Sequence, residues 1–160
     1  MPKITSFLWF DDQAEEAMNF YVSIFKHSKV LSVTRYGDAG PGPKGSVMTA
    51  NFELDGQVFT ALNGGPTYPM QAFSPAISFV VHCETQAEVD HYWEKLSAGG
   101  KQNQCAWLED KFGVTWQIVP NVLLELISDP DPVKAGRVMQ AMLKMTKIDI
   151  DTLKLAYAQS

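Results

Sequence analysis

The sequence predicts an α+β fold made of two β-α-β-β-β modules followed by a helical extension. Three observations predict it. An apolar alternating strand running into a helix-start signal occurs twice. The two occurrences keep one spacing along the chain. After Pro120 the pattern turns wholly helical.

The first module spans residues 1–66. Ile4, Ser6, Leu8 and Phe10 alternate with Thr5, Phe7 and Trp9, a strand with both faces largely apolar. Asp12-Gln13-Ala14-Glu15 has the spacing of a capping box, with Asp in place of Ser or Thr. The helix it opens runs to about Phe25 and buries Ala17, Phe20, Tyr21, Ile24 and Phe25. Strand signals return at Val30–Tyr36, followed by a Gly- and Pro-rich loop over 37–45. Val47–Leu54 and Val58–Leu62 flank Asp55-Gly56, a strong hairpin turn. Asn63-Gly64-Gly65-Pro66 closes the module.

The second module spans 74–120. Pro75–Cys83 reads as a strand and Thr85-Gln86-Ala87-Glu88 as a second capping box. A helix continues to about Ser97 and stops at Gly99-Gly100. Gln102–Leu108 and Val114–Val119 form a hairpin around 109–113. The two boxes lie 73 residues apart, and the same offset aligns Ile4 with Ile77, Leu8 with Val81, Phe10 with Cys83 and Phe20 with Trp93. In the extension, 121–160, Asn121–Ser128 is a short apolar helix. Asp131-Pro132 is an N-cap followed by proline at the first helical position. Val138, Ala141, Met142 and Met145 make one helix face, for packing on the sheet or a partner subunit. Asp149 caps a last helix through Tyr157. Residues 1–160 are read as a single domain.

Of 160 residues, 46% are apolar and 19% charged, with a formal net charge of −5. A mildly acidic chain without a basic cluster argues against nucleic acid; Lys134, Lys144, Lys147 and Lys154 read as solvated helix faces. Met1–Ile4 lacks the features of a leader peptide. No apolar run approaches the roughly 20 residues that span a bilayer. Cys83 and Cys105 are too few for a disulfide framework. A reduced, cytoplasmic protein without membrane or nucleic-acid partners is expected.

Several stretches carry a family resemblance. They are Ala14-Glu15-Glu16-Ala17 with Phe20-Tyr21, the run Phe59–Pro66, the run Cys105–Pro120, Ser128-Asp129-Pro130 and Lys147-Ile148-Asp149-Ile150. Together they resemble the PhnB-like branch of the vicinal-oxygen-chelate superfamily, which includes glyoxalase I, extradiol dioxygenases, fosfomycin-resistance enzymes and bleomycin-binding proteins. The branch often carries the label 3-demethylubiquinone-9 3-methyltransferase domain. The resemblance implies a glyoxalase-like pair of half-barrels, a small-molecule cavity often holding a divalent metal, and a homodimer.

The superfamily's metal ligands are a His or Gln near the start of a module's first strand and a Glu on its last. Strand parity places Ile4, Leu8 and Phe10 toward the helix and Lys3, Thr5, Phe7 and Trp9 toward the cavity. By the repeat, Ala76, Ser78, Val80 and His82 also face the cavity. The family pattern Asp-x-x-Gly-x-x-x-Glu maps onto Asp110, Gly113 and Gln117, so the glutamate has become an amide. The matching strand of module one offers Phe59, Ala61 and Asn63. One amide does not hold a divalent ion, so no metal and no cofactor is expected. That weighs against glyoxalase or dioxygenase chemistry.

The expected cavity lining is Phe7, Trp9, Phe59, Asn63, Cys105, Trp107 and Gln117, aromatic with a few polar groups. These aromatics either contact a ligand or fill the barrel. A catalytic Cys105 needs an activating base. Of His27, His82 and His91 only His82 can share the cavity, so a Cys105–His82 pair is the weak catalytic candidate beside an inert cysteine. Asp110 and Lys111 form a turn, and Trp116 packs beneath the helices. A methyltransferase of the usual type needs a parallel sheet and a glycine-rich loop after its first strand; Asn63–Pro66 follows a late strand instead. The expected function is metal-free binding of a small hydrophobic or aromatic molecule. The alternatives are a vicinal-oxygen-chelate enzyme (lyase, dioxygenase or transferase) on a small metabolite, and a structural dimer using Met139 or Leu143.

Overall fold

A computed structural model describes residues 3–66 and 73–159; Met1 and Pro2, read above for a leader, lie outside them. The chain divides into two compact units, one within 1–72 and one within 73–160. The helical extension belongs to the second.

Unit one runs β1 (Ser6–Phe10), α1 (Ala14–Ile24), β2 (Ser28–Arg35), β3 (Val47–Leu54), β4 (Gln57–Asn63). The sheet order is β1-β4-β3-β2, with β1 parallel to β4 and the other pairs antiparallel. α1 covers one face. Its Ala14, Ala17, Met18, Tyr21 and Ile24 are buried against Leu8, Phe10, Ala50, Phe52, Phe59 and Ala61. Fully burying each large side chain contributes roughly 1.5–3 kcal/mol. The β3–β4 hairpin turns on Asp55 (φ 49°) and Gly56 (φ 85°), the left-handed pair that a two-residue hairpin needs.

The capping box expected at Asp12–Glu15 is not made. α1 starts after Gln13 with no local side-chain cap. Its first N–H, on Ala14, donates to Asn63 Oδ1 at 2.7 Å. β4 returns beside β1 and delivers that oxygen, so a distant residue does the work of a local one.

Unit two begins β5 (Phe79–Cys83), α2 (Gln86–Ser97), β6 (Lys101–Gln102), β7 (Trp107–Glu109), β8 (Thr115–Pro120). The order β5-β8-β7-β6 repeats unit one, with β5 parallel to β8. Here the N-cap half of the box is made: Thr85 Oγ1 accepts from Glu88 N–H at 3.2 Å, while the Glu88 carboxylate accepts from Glu84 N–H and not from Thr85. The strand expected over Gln102–Leu108 is broken in two. Cys105 (φ 59°) and Ala106 (φ 78°) are left-handed. Their N–H groups donate to the carbonyls of Met145 and Thr146, each at 2.9 Å, instead of joining a ladder.

The extension folds as α3 (Asn121–Ile127), α4 (Pro132–Leu143) and α5 (Ile150–Ala158). Asp131 and Asp149 cap α4 and α5 through their carboxylates. Val138 joins a buried cluster with Ala106, Val119, Leu123, Ile148 and Leu153, and Ala141, Met142 and Met145 pack on it. The methionine face therefore packs within its own unit. Gln86 fastens α5 to α2: its amide donates to Ile148 O and Asp90 Oδ1 and accepts from Ile150 N–H. Lys147 lies 2.8 Å from Asp90. Its hydrogen bond, then that of Gln86, holds the Asp90 carboxyl below the usual carboxylate range. Among the described residues no helix is long and apolar enough to cross a membrane.

Candidate functional site

Each sheet has one face under a helix and one face open. In unit one the open face carries Phe7 and Trp9, 58% and 41% exposed, where strand parity put them. Trp9 is anchored: its indole N–H donates to Gly65 O at 2.9 Å. The ring lies over Gly64, where a Cβ would sit 2.3 Å from Trp9 Cε2. The glycines after β4 are thus a seat for this ring. Gly64→Ala is expected to turn Trp9 off its seat and cost about 1–3 kcal/mol, seen as a shifted Trp emission with a lower melting temperature.

Two residues expected on this face lie on the other. The parallel register pairs Ser6 with Phe59, Leu8 with Ala61 and Phe10 with Asn63, so these β4 residues share the helix side. Phe59 is buried there, its ring stacked on Phe52 at 5.4 Å. Asn63 serves as the α1 cap and also donates to Val47 O at 3.2 Å. The open-face residues of β4 are Thr60 and Leu62, opposite Phe7 and Trp9. Phe7 pairs with Thr60 as Val80 pairs with Gln117, so Thr60 is the structural counterpart of Gln117.

In unit two, Trp107 and Val80 flank Gln117 across the strands, and Gln117 Nε2 donates to Ser78 Oγ at 2.9 Å. His82 is exposed at the C-terminal end of β5 opposite Val119. The residue facing Gln117 across the hairpin is Trp107, not Cys105, which sits in the left-handed turn before β7. No hydrogen bond joins Cys105 to His82 among the described residues. Trp116 is buried under α2's side of the sheet, as expected.

Cys83 is the other thiol. It is wholly buried, and desolvation, then the charge of Glu88, pushes it up to about 12 from 9.0. The unfolded thiol ionises first as pH rises, so its linkage stabilises the fold below pH 9 and is lost between about 9 and 12. Stability is expected to fall by roughly 1 kcal/mol per pH unit there from this group. The Cys83→Ala chain should show a shallower loss by denaturant titration.

A cleft of about 530 Å³ opens at the end of β1, lined by Asp11, Asp12, Glu15, Arg35, Tyr36 and Gly65 among others. Arg35 donates to Gly45 O, and Tyr36 Oη–H donates to Asn63 O, which closes the 37–46 loop over the strand ends.

At the positions where the family resemblance implies metal ligands, neither unit offers residues that fit a divalent ion. The first strands offer Phe7 and Val80, the last Thr60 and Gln117. Both polar side chains are neutral and already bonded, Thr60 to Asn51 and Gln117 to Ser78. A divalent site needs several carboxylate or imidazole donors converging on one point. No group of three or more His, Cys, Asp or Glu is so placed among the described residues.

Two four-stranded mixed sheets, each with a covering helix, define an α+β protein whose fold is shared with the fosfomycin resistance proteins FosX. The model of the family described as 3-demethylubiquinone-9 3-methyltransferase matches residues 2–119. The chain belongs to that family. The PhnB protein of Bacillus cereus is 40% identical, with a TM-score of 0.68 over 74% of this chain and 99% of that one. Protein PA1353 of Pseudomonas aeruginosa is 22% identical, with a TM-score of 0.62 over 75% of this chain and 98% of that one. The fosfomycin resistance protein FosX of Listeria monocytogenes shares the fold at 16% identity, with a TM-score of 0.53 over 78% of this chain and 94% of that one. No curated protein matches.

Proposed function

We propose that this chain binds a small apolar or aromatic molecule on its open sheet faces without a divalent metal. One observation carries the reading: Phe7 and Trp9 stand exposed on one face, and Trp9 is held there by a bond to Gly65 O. Large rings kept in water at fixed positions are unfavourable unless something covers them. The neutral, internally bonded side chains at the ligand positions support the metal-free part. The family name is a label here. Neither sheet is a doubly wound parallel one, and Gly64-Gly65 seats a tryptophan rather than opening a helix.

Titration with a panel of aromatic metabolites, read by Trp emission, is expected to give saturable quenching that Trp9→Phe reduces. Elemental analysis of protein purified without chelators is expected to show far less than one metal per chain. Stoichiometric metal, or no ligand-dependent change with any compound, would overturn the reading. We also read the chain as a cytoplasmic homodimer. Two free cysteines suit a reducing compartment, and Leu143 (56% exposed) and Leu155 (68%) offer apolar surface on the extension. A monomer by light scattering would remove the dimer.

A further inference from the structure

The strand register sets out the open face of unit one in two transverse rows. Reading β1, β4, β3, β2, the first row is Phe7, Thr60, Asn51, Ser32. The second is Trp9, Leu62, Thr49, Thr34. Strands lie about 4.8 Å apart, so a row spans roughly 14 Å. Both rows run from an aromatic ring at the β1 edge to a hydroxyl at the β2 edge.

The polar ends are wired along the rows. Thr60 Oγ1 donates to Asn51 Oδ1 at 2.7 Å, and Asn51 Nδ2 donates to Ser32 Oγ at 2.9 Å. In the next row the hydroxyls of Thr34 and Thr49 lie 2.5 Å apart. An amide between two hydroxyls uses one hydroxyl proton and one of its own N–H groups. Whichever way the amide is turned, one hydroxyl proton and one N–H remain to face outward. No side chain in either row carries a formal charge. Charges begin in the flanking rows: on one side Lys29 lies opposite Glu53 and offsets it, and on the other Arg35 lies opposite Val47 and donates to Gly45 O.

We infer that this face is built for an uncharged, elongated molecule: a flat apolar head on Phe7 and Trp9, and a tail of hydroxyl or amide groups across Thr60, Asn51 and Ser32. The inference rests on the binding reading above and adds the class of ligand. A phosphate or carboxylate tail finds no Arg or Lys within the rows to pair with. A bare hydrocarbon leaves the outward hydroxyl and amide protons covered and unpaired, which a site built to hydrogen-bond penalises strongly. Neutral polar groups along the tail satisfy both conditions.

The test uses the full chain and matched probes sharing one aryl head. A panel of aryl β-glycosides and aryl amides is compared by calorimetry with the same heads bearing phosphate, and with nitrobenzene as a tailless head. The neutral tailed probes are expected to bind at least tenfold tighter than both. Ser32→Ala, a small change at an exposed edge-strand position, is expected to weaken them about tenfold and leave nitrobenzene unchanged. Asn51→Leu should do the same, with folding checked by circular dichroism. Equal or tighter binding of the phosphates, parity of nitrobenzene, or tailed-probe affinities unmoved by Ser32→Ala would overturn this inference while leaving ligand binding intact. Binding by no member of the panel would remove both.

Discussion

Asp110→Ala is expected to lower stability by about 3–5 kcal/mol, because this side chain holds the β7–β8 hairpin shut from inside. Asp110 is only 2% exposed. Its Oδ1 accepts from Phe112 N–H at 2.9 Å and Val114 N–H at 3.0 Å, and its Oδ2 accepts from Trp116 Nε1–H at 2.9 Å. Hydrogen bonds to a charged acceptor contribute about 1.5–3 kcal/mol each, and alanine leaves their donors without a partner. The Phe112 N–H is half-buried near the turn, where water recovers part of the loss, whereas the Val114 N–H is buried. The indole N–H is buried and does not recover. In a chain of this size the change corresponds to a fall in melting temperature of roughly 10 °C. Asp110→Asn should cost about half as much. It keeps an acceptor for the turn but can set an amide N–H against the Trp116 N–H. Guanidinium unfolding followed by Trp emission measures both variants, and a loss below about 1 kcal/mol for alanine would contradict the hub.

Asp110 also marks how far local reading reaches. An Asp before Lys-Phe-Gly predicts a turn, and the turn is there. Nothing local shows that the same carboxylate continues to an indole six residues on. The elements themselves were legible where the signal is local: alternation in β1 and β3, Asp55-Gly56 at a turn, and Thr85, Asp131 and Asp149 as caps. Three features were not, and each depends on a distant segment. Cys105 and Ala106 break their strand because the 145–146 loop supplies their acceptors. Asp12 loses the capping role because Asn63 arrives from β4. The phase of β4 fails because Val58, Phe59, Ala61 and Leu62 are apolar on both sides, so period two cannot say which side meets the helix. The two rows of the open face were half visible. Thr49, Asn51 and Glu53 alternate with buried residues along β3, but their alignment with Thr60 and Ser32 exists only once the register is known.

That phase can be tested directly, because it decides which phenylalanine carries stability. Phe52 is fully buried and stacks on Phe59 at 5.4 Å and on Tyr21 at 6.1 Å, a three-ring core between sheet and α1. Truncating a core phenylalanine removes its transfer free energy and leaves a cavity that rigid neighbours cannot fill, about 3–5 kcal/mol. Phe52→Ala and Phe59→Ala are each expected in that range, and their sum should exceed the double variant, since one truncation already removes the shared stack. Phe7→Ala is expected to change stability by less than about 1 kcal/mol, because 58% of that residue is in water already. The strand parity read from the sequence makes a different assignment, with Phe7 and Phe59 as equivalent residues on one face. Equal, small costs for Phe7→Ala and Phe59→Ala in denaturant titrations would restore it. A large cost for Phe59 beside a small one for Phe7 puts Phe59 on the helix side of β4, and its neighbour Thr60 on the open face with Phe7.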